Sequence, residues 1–212
     1  MPKITEARRE DRRRQILDAA LVCFAENGFH QTSMPDIVRR SGLSHGAVYV
    51  YFKSKDDIIV ALAVDRHRQE AVLNSAALAS GDALESLRAL VRGYARSLSE
   101  PGGDARRRVS VNGWAEALRN DRVRASVLEG VETPVSVIAA LVERAQAQGA
   151  MSANIDPEAV GRSLVALFQG FALQVAWGEA VDMQAAVAVV ERMLSGLASQ
   201  GDVTAARKPR AR

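Results

Sequence analysis

Apolar residues recur every three to four positions along almost the whole chain, and no stretch alternates apolar and polar residues between turn formers as a half-buried strand would. The pattern predicts an all-α protein. Its punctuation agrees: Asp82, Asp104, Asp121, Asp156 and Asp182 each precede an apolar-periodic run, where a carboxylate accepts hydrogen bonds from the free N–H groups of a first helical turn. Asp156-Pro157 is the clearest start, a capping residue followed by a proline in the first turn. Gly28, Gly42, Gly81, Gly102-Gly103, Gly149 and Gly201 stand where helices should stop. Together these signals predict nine helices, at residues 7–27, 34–40, 45–51, 55–79, 82–99, 104–118, 121–149, 157–178 and 183–198. Pro134 falls inside the seventh, which either kinks there or restarts with Thr133 as its cap. The tail, residues 200–212, has no apolar period and reads as disordered and basic.

Residues 32–55, TSMPDIVRRSGLSHGAVYVYFKSK, read as a helix-turn-helix. Pro35 sits in the first turn of one short helix, Gly42 supplies the left-handed turn, and Ser44 caps a second helix. Ile37, Val38, Leu43 and Val48 can bury the inner faces, and Phe52 reads as a core anchor. Burial leaves His45, Tyr49, Tyr51, Lys53 and Lys55 without an explanation. The lysines stand out because the chain has only four, the others being Lys3 and Lys208. In a DNA major groove the N-terminal residues of such a helix would face base edges, with the tyrosine hydroxyls and the lysines on phosphate.

Charge distribution favours that reading. Residues 1–55 carry ten Lys/Arg against six Asp/Glu, residues 56–201 carry fourteen against eighteen, and residues 202–212 four against one. A basic end joined to an acidic body suits a nucleic-acid-binding unit attached to a domain with other work, although a solvated charged surface gives similar sums. The arginines of ARREDRRR fit either an arm beside the duplex or a solvated helix face. With 212 residues, 48% hydrophobic and 25% charged, the chain has material for a core of its own. Gln169 and Gln174 interrupt its most apolar stretch and the N-terminus lacks the apolar segment of a signal peptide, so a cytoplasmic protein with no membrane partner is expected. The single cysteine, Cys23, shares a helix face with Ile16, Ala20 and Phe24 and reads as core.

Residues 16–59, ILDAALVCFAENGFHQTSMPDIVRRSGLSHGAVYVYFKSKDDII, resemble the N-terminal domain of the tetracycline-repressor (TetR) family of transcriptional regulators, with Val38 where that family usually has alanine. The resemblance implies three domain-level units: a helix-turn-helix DNA-binding domain at 1–54, a ligand-binding and dimerisation domain at 55–199, and the tail. It places DNA contacts at Thr32, Ser33, Ser44, His45, Gly46, Ala47, Tyr49, Tyr51 and Lys55. It further implies a homodimer on an inverted-repeat, double-stranded operator and an unknown small-molecule effector, with no cofactor and no metal.

The remaining helices carry features of their own. The eighth, PEAVGRSLVALFQGFALQVAWG, is apolar around most of its circumference: Val160, Leu164, Leu167, Phe171 and Val175 lie on one face, Val165, Phe168, Ala172 and Ala176 on another. The ninth repeats the habit with Ala186, Val189, Val190, Met193 and Leu197. By the resemblance these two helices meet their counterparts in a second subunit as a four-helix bundle, so Leu164, Leu167, Phe171, Val190, Met193 and Leu197 are expected at the interface, with Gly161 and Gly170 permitting close approach. A mostly apolar effector pocket is expected among the middle helices, lined by Tyr94, Trp114, Phe168 and Phe171, with Arg66, His67, Arg92 or Glu116 as polar anchors. Two other readings compete: a DNA-binding regulator with a filled core and no ligand, and an all-helical enzyme. Against the enzyme, the chain lacks metal-ligand spacing, a phosphate-binding glycine loop and a nucleophile-base pattern, and His30, His45 and His67 form no ligand pair.

Overall fold

The computed structural model describes residues 6–197 apart from 80 and 101, so the tail at 200–212 lies outside the described residues. Among these the chain forms nine α-helices and no strand: α1 (Glu6–Gln31), α2 (Met34–Ser41), α3 (His45–Tyr51), α4 (Lys55–Ala79), α5 (Ala83–Ser99), α6 (Asp104–Glu116), α7 (Asp121–Ala147), α8 (Pro157–Ala176) and α9 (Met183–Gly196). Asp82, Asp156 and Asp182 cap α5, α8 and α9, accepting from the N–H groups of Glu85, Glu158 and Ala185. Asp104 and Asp121 are instead the first helical residues of α6 and α7, where a negative charge still meets the positive end of the helix dipole. The cap of α7 is Asn120, which accepts from Arg122 and Val123. Gly28 (φ 72°, ψ 173°) interrupts α1, and a last turn continues beyond it to Gln31. Pro134 lies inside the single helix α7, so no restart occurs at Thr133.

Two clusters of buried side chains organise the helices. The first gathers Ile16, Ala20, Cys23, Phe24 and Phe29 of α1, Ile37, Val48 and Phe52, and Ile58 and Ile59 of α4, then continues to Val109, Ala117 and Val123 of the α6–α7 region. A boundary at residue 54 therefore falls within the chain of one core. The second joins Leu87, Leu90 and Val91 of α5 to Ile138, Leu141 and Val142 of α7, Val160 and Leu164 of α8, and Val190 and Leu194 of α9. Helix α7 is the centre of the molecule, packed most extensively on α8 and then on α4 and α5.

Two glycines set how closely helices approach α7. At Gly161 a Cβ would stand 2.7 Å from the carbonyl oxygen of Val135, closer than real contacts allow. The close approach is thus to α7 of the same chain rather than to a second subunit. At Gly130 a Cβ would stand 2.3 Å from His67 Nε2, so the imidazole on α4 seats directly over the backbone of α7. By length and composition both α7 and α8 would suffice to cross a membrane, which the interruptions at Gln169 and Gln174 did not suggest. Much of the apolar surface of α7 is spent on α4, α5 and α8, whereas α8 keeps a large share of its own uncovered.

Gly161→Ala should lower stability by about 1–3 kcal/mol, the usual cost of overpacking, because the obstructing atom is backbone. Gly113, buried in α6, provides the contrast: a Cβ there meets nothing within 4 Å. Gly113→Ala should raise stability by about 0.5–1 kcal/mol through helix propensity. Urea unfolding of the two variants beside the wild type checks both signs.

Candidate functional site

The helix-turn-helix is built from short polar contacts. Ser33 caps α2 in a reciprocal box, its hydroxyl accepting from Asp36 N while Asp36 Oδ2 accepts from Ser33 N at 2.9 Å. Gly42 (φ 68°) closes α2, and its N–H donates to Arg39 O. Ser44 caps α3, accepting from Ala47 N at 3.3 Å. Val48 is wholly buried, Phe52 is buried beneath the guanidinium of Arg13 (5.9 Å from the ring centroid), and Tyr51 packs against the same core. His45 is exposed and stacks on half-buried Tyr49, with ring centroids 4.3 Å apart. Gly46, Ala47 and Val50 complete the outer side of α3, and Val50 has no place in the sequence-derived set of DNA contacts although it is 68% exposed. The arginine-rich segment is helical, and Arg8, Arg9 and Arg14 lie exposed on α1.

Two expected contacts are turned inward. Thr32 is buried, its hydroxyl lying 2.8 Å from Gly28 O and 3.1 Å from Cys23 O, where it satisfies carbonyls left open by the break at Gly28. It cannot reach a duplex from there. The ammonium of Lys55 donates to Phe29 O and, at 3.0 Å, to Thr32 O. Lys53 likewise donates to Tyr49 O at 2.6 Å. Both lysines therefore serve as cations on carbonyls at or just beyond helix ends, a structural task that their position beyond α3 concealed.

Just beyond Lys55 the helix-turn-helix unit is clamped to the rest of the chain. Asp57 Oδ2 accepts from the N–H groups of Lys53 and Ser54 (3.0 and 2.9 Å), capping α4, while its Oδ1 accepts from Arg122 at 2.6 Å. These bonds, Arg122 foremost, hold its carboxyl below the ordinary carboxylate range. Asp56 accepts from the α7 cap Asn120 at 2.9 Å. A further link runs from His30 to Glu116 at 3.2 Å, and Glu116 also meets Arg119. Charge patterning hid this clamp, because Asp56 and Asp57 read as ordinary first-turn acids.

Two cavities flank Trp114. One, of about 100 Å³, is lined by Tyr94, Trp114, Phe168, Ile138, Arg66 and Glu70 among others. Phe171 does not line it and reaches it only through Phe168, whose ring centroid is 6.4 Å away. The other, of about 180 Å³, lies between α1, α4, α6 and α7, and its walls include Leu17, Phe29, Leu62, His67, Val109 and Trp114. Burial pushes the Tyr94 hydroxyl up to about 12, with the charge of Glu70 adding to it, and Tyr94 donates to Asn74 at 3.0 Å. Burial also raises the Glu70 carboxyl, against the pull of Arg66 at 3.6 Å, and lowers His67. Of the other expected anchors, Arg92 pairs with Glu85 and Glu191 near the surface, and Glu116 belongs to the α1–α6 link. No cluster of metal-ligating side chains occurs among the described residues.

The outer face of α8 and α9 also differs from expectation. Leu164 and Val190 are buried in the second core of their own chain and Leu197 packs against it, so none offers a free surface. Leu167 (37% exposed) and Met193 (56%) do, joined by Trp177 (69%) and Val189 (53%).

Comparison with known proteins follows the same division. A model described as bacterial regulatory proteins, tetR family, matches residues 16–62, and one described as BetI-type transcriptional repressor, C-terminal, matches residues 83–199. The HTH-type transcriptional repressor Rv1474c of Mycobacterium tuberculosis is 42% identical over 73 residues, 34% of this chain and 39% of its own. The regulator BetI of Klebsiella pneumoniae is 41% identical over 85 residues, 39% of this chain and 44% of its own. The chain thus spans less than half the length of these curated relatives. Salmonella enterica GusR superposes with a TM-score of 0.75 at 30% identity, covering 92% of this chain and 98% of that one. Bacillus subtilis FadR in complex with stearoyl-CoA gives 0.70 at 19% identity over 86% and 97%, a likeness of fold.

Lys55→Ala should cost roughly 1–3 kcal/mol of stability, since two carbonyls lose a charged donor. A urea midpoint equal to that of the wild type would refute the capping role. For Glu70 the folded carboxyl is raised, so its contribution favours folding below the ordinary carboxylate pKa and is lost as pH rises through the folded value. Glu70→Gln should therefore be more stable than the wild type at pH 7, and the difference should vanish by about pH 4.

Proposed function

The chain belongs to the tetR family of bacterial transcriptional regulators, and we propose that it acts as a homodimeric repressor released from its operator by a small, largely apolar molecule. The observation that carries this reading is the position of α4. Its first residues hold the DNA-facing unit through Lys55 and Asp57, and eleven to fifteen residues later, about 16–22 Å along the helix, it presents Arg66 and Glu70 to the aromatic cavity. One rigid element thus spans both sites. A ligand that tilts α4 would move α3, and two α3 helices on a duplex tolerate little change in separation.

The uncovered apolar face of Leu167, Trp177, Val189 and Met193 supports association with a second copy, which would bring the two α3 helices to successive major grooves. His45, Gly46, Ala47 and Tyr49 are the base- and backbone-facing residues of this reading, with Ser33, Ser44 and Tyr51 at its margins. Lining by Tyr94, Trp114 and Phe168 supports an apolar or aromatic effector. That FadR of the same fold is complexed with stearoyl-CoA is in keeping with a ligand of this class.

Selection of bound duplexes from random DNA tests the proposal. An inverted repeat with half-sites about one helical turn apart is expected, and a compound screened for its release should bind more weakly to the operator complex by the same factor as it weakens the operator, commonly about 5- to 150-fold. A ligand that binds equally well with and without operator would refute the coupling. Leu167→Asp with Met193→Asp should give a monomer of native helicity that loses specific binding, whereas Val190→Asp should unfold the chain. Sedimentation and circular dichroism distinguish the two outcomes.

A further inference from the structure

The side chains of α3 point in distinct directions. Val48 faces the core, His45 and Tyr49 stack along one flank, and Ala47 stands on the other. Between the flanks, on the outermost line of the helix, lie Gly46 and, one turn later, Val50. Val50 is 68% exposed and is the one exposed large apolar side chain among the described residues that precede α4. Nothing in the fold accounts for it, because it buries little, and a β-branched residue on an open helical surface is a poorer helix former than alanine. Its surroundings are low in relief: a Cβ on Gly46 would meet nothing within 4 Å, and Ala47 carries a single carbon. The outer line of α3 is thus an apolar knob beside open ground that another small apolar group can occupy.

In the major groove one apolar group projects from a base edge, the C5 methyl of thymine. We infer that Val50 is a specificity-determining residue whose isopropyl group packs on the C5 methyl of one thymine in each half-site. The inference rests on the reading of α3 as the recognition helix. It adds an apolar criterion to that reading, at a position where no hydrogen bond is available from the protein, and Gly46 provides the clearance for the base edge to come close.

The test uses the selected operator with the full-length protein. Each thymine is replaced in turn, symmetrically in both half-sites, by deoxyuridine, which lacks only that methyl group. At one position the wild type should lose about fourfold in affinity per half-site, the worth of one buried methyl group. Val50→Ala, which should fold because the site is exposed and alanine favours a helix, should lose less than twofold at the same position. Placing 5-methylcytosine instead of cytosine there should strengthen binding to the wild type and leave Val50→Ala unaffected. Specific binding that is indifferent to every thymine methyl, or a loss of equal size in Val50→Ala, would overturn the assignment. If no duplex is selected at all, the recognition-helix reading itself fails and this inference fails with it.

Discussion

Where α1 breaks at Gly28, its last carbonyls have no helical partners, and the ammonium of Lys55 closes that gap by donating to Phe29 and Thr32. The contact fixes the first residue of α4 against the end of α1. Two residues on, Asp57 is bound by the N–H groups that precede α4 and by Arg122 from α7. The start of α4 is therefore held from both sides within a single helical turn. The link of His30 with Glu116, the pair of Arg13 with Asp65 and the packing of α1 on α6 join the same two parts of the chain elsewhere.

The same arrangement explains why the first core does not stop at the helix-turn-helix. Val109, Ala117 and Val123 complete the burial of a unit too small to cover its own apolar faces, and they come from the elements that carry the clamp. Packing and polar contacts thus oppose the same separation. The cavities on either side of Trp114 leave the packing incomplete beside this joint.

Much of this was legible in the sequence, for identifiable reasons. Helical period and capping residues located the nine helices, because both are local properties of the chain. Cys23 and Phe52 were correctly placed in the core, and Tyr94, Trp114 and Phe168 do share a cavity. What could not be read depends on contacts distant in sequence. Lys55 looks like a phosphate ligand until the carbonyls of Phe29 and Thr32, at and just beyond the end of α1, are brought beside it, and Thr32 looks like a surface cap until the break at Gly28 turns it inward. Leu164 and Val190 share the apolar period of Leu167 and Met193, and only the position of α7 and α5 decides which are covered. Val50 carries no polar group that would mark it in the sequence as a DNA contact, and only its exposure singles it out.

His67 resting on the bare backbone of Gly130 makes α4 and α7 behave as a keyed joint. Sliding one helix along the other would drive the imidazole into the flanking side chains of α7, so shear is resisted at that point. The imidazole thus fixes the register of α4 against α7 roughly 18 Å along α4 from Lys55, a second point of attachment between the two helices beyond the one at Asp57 and Arg122.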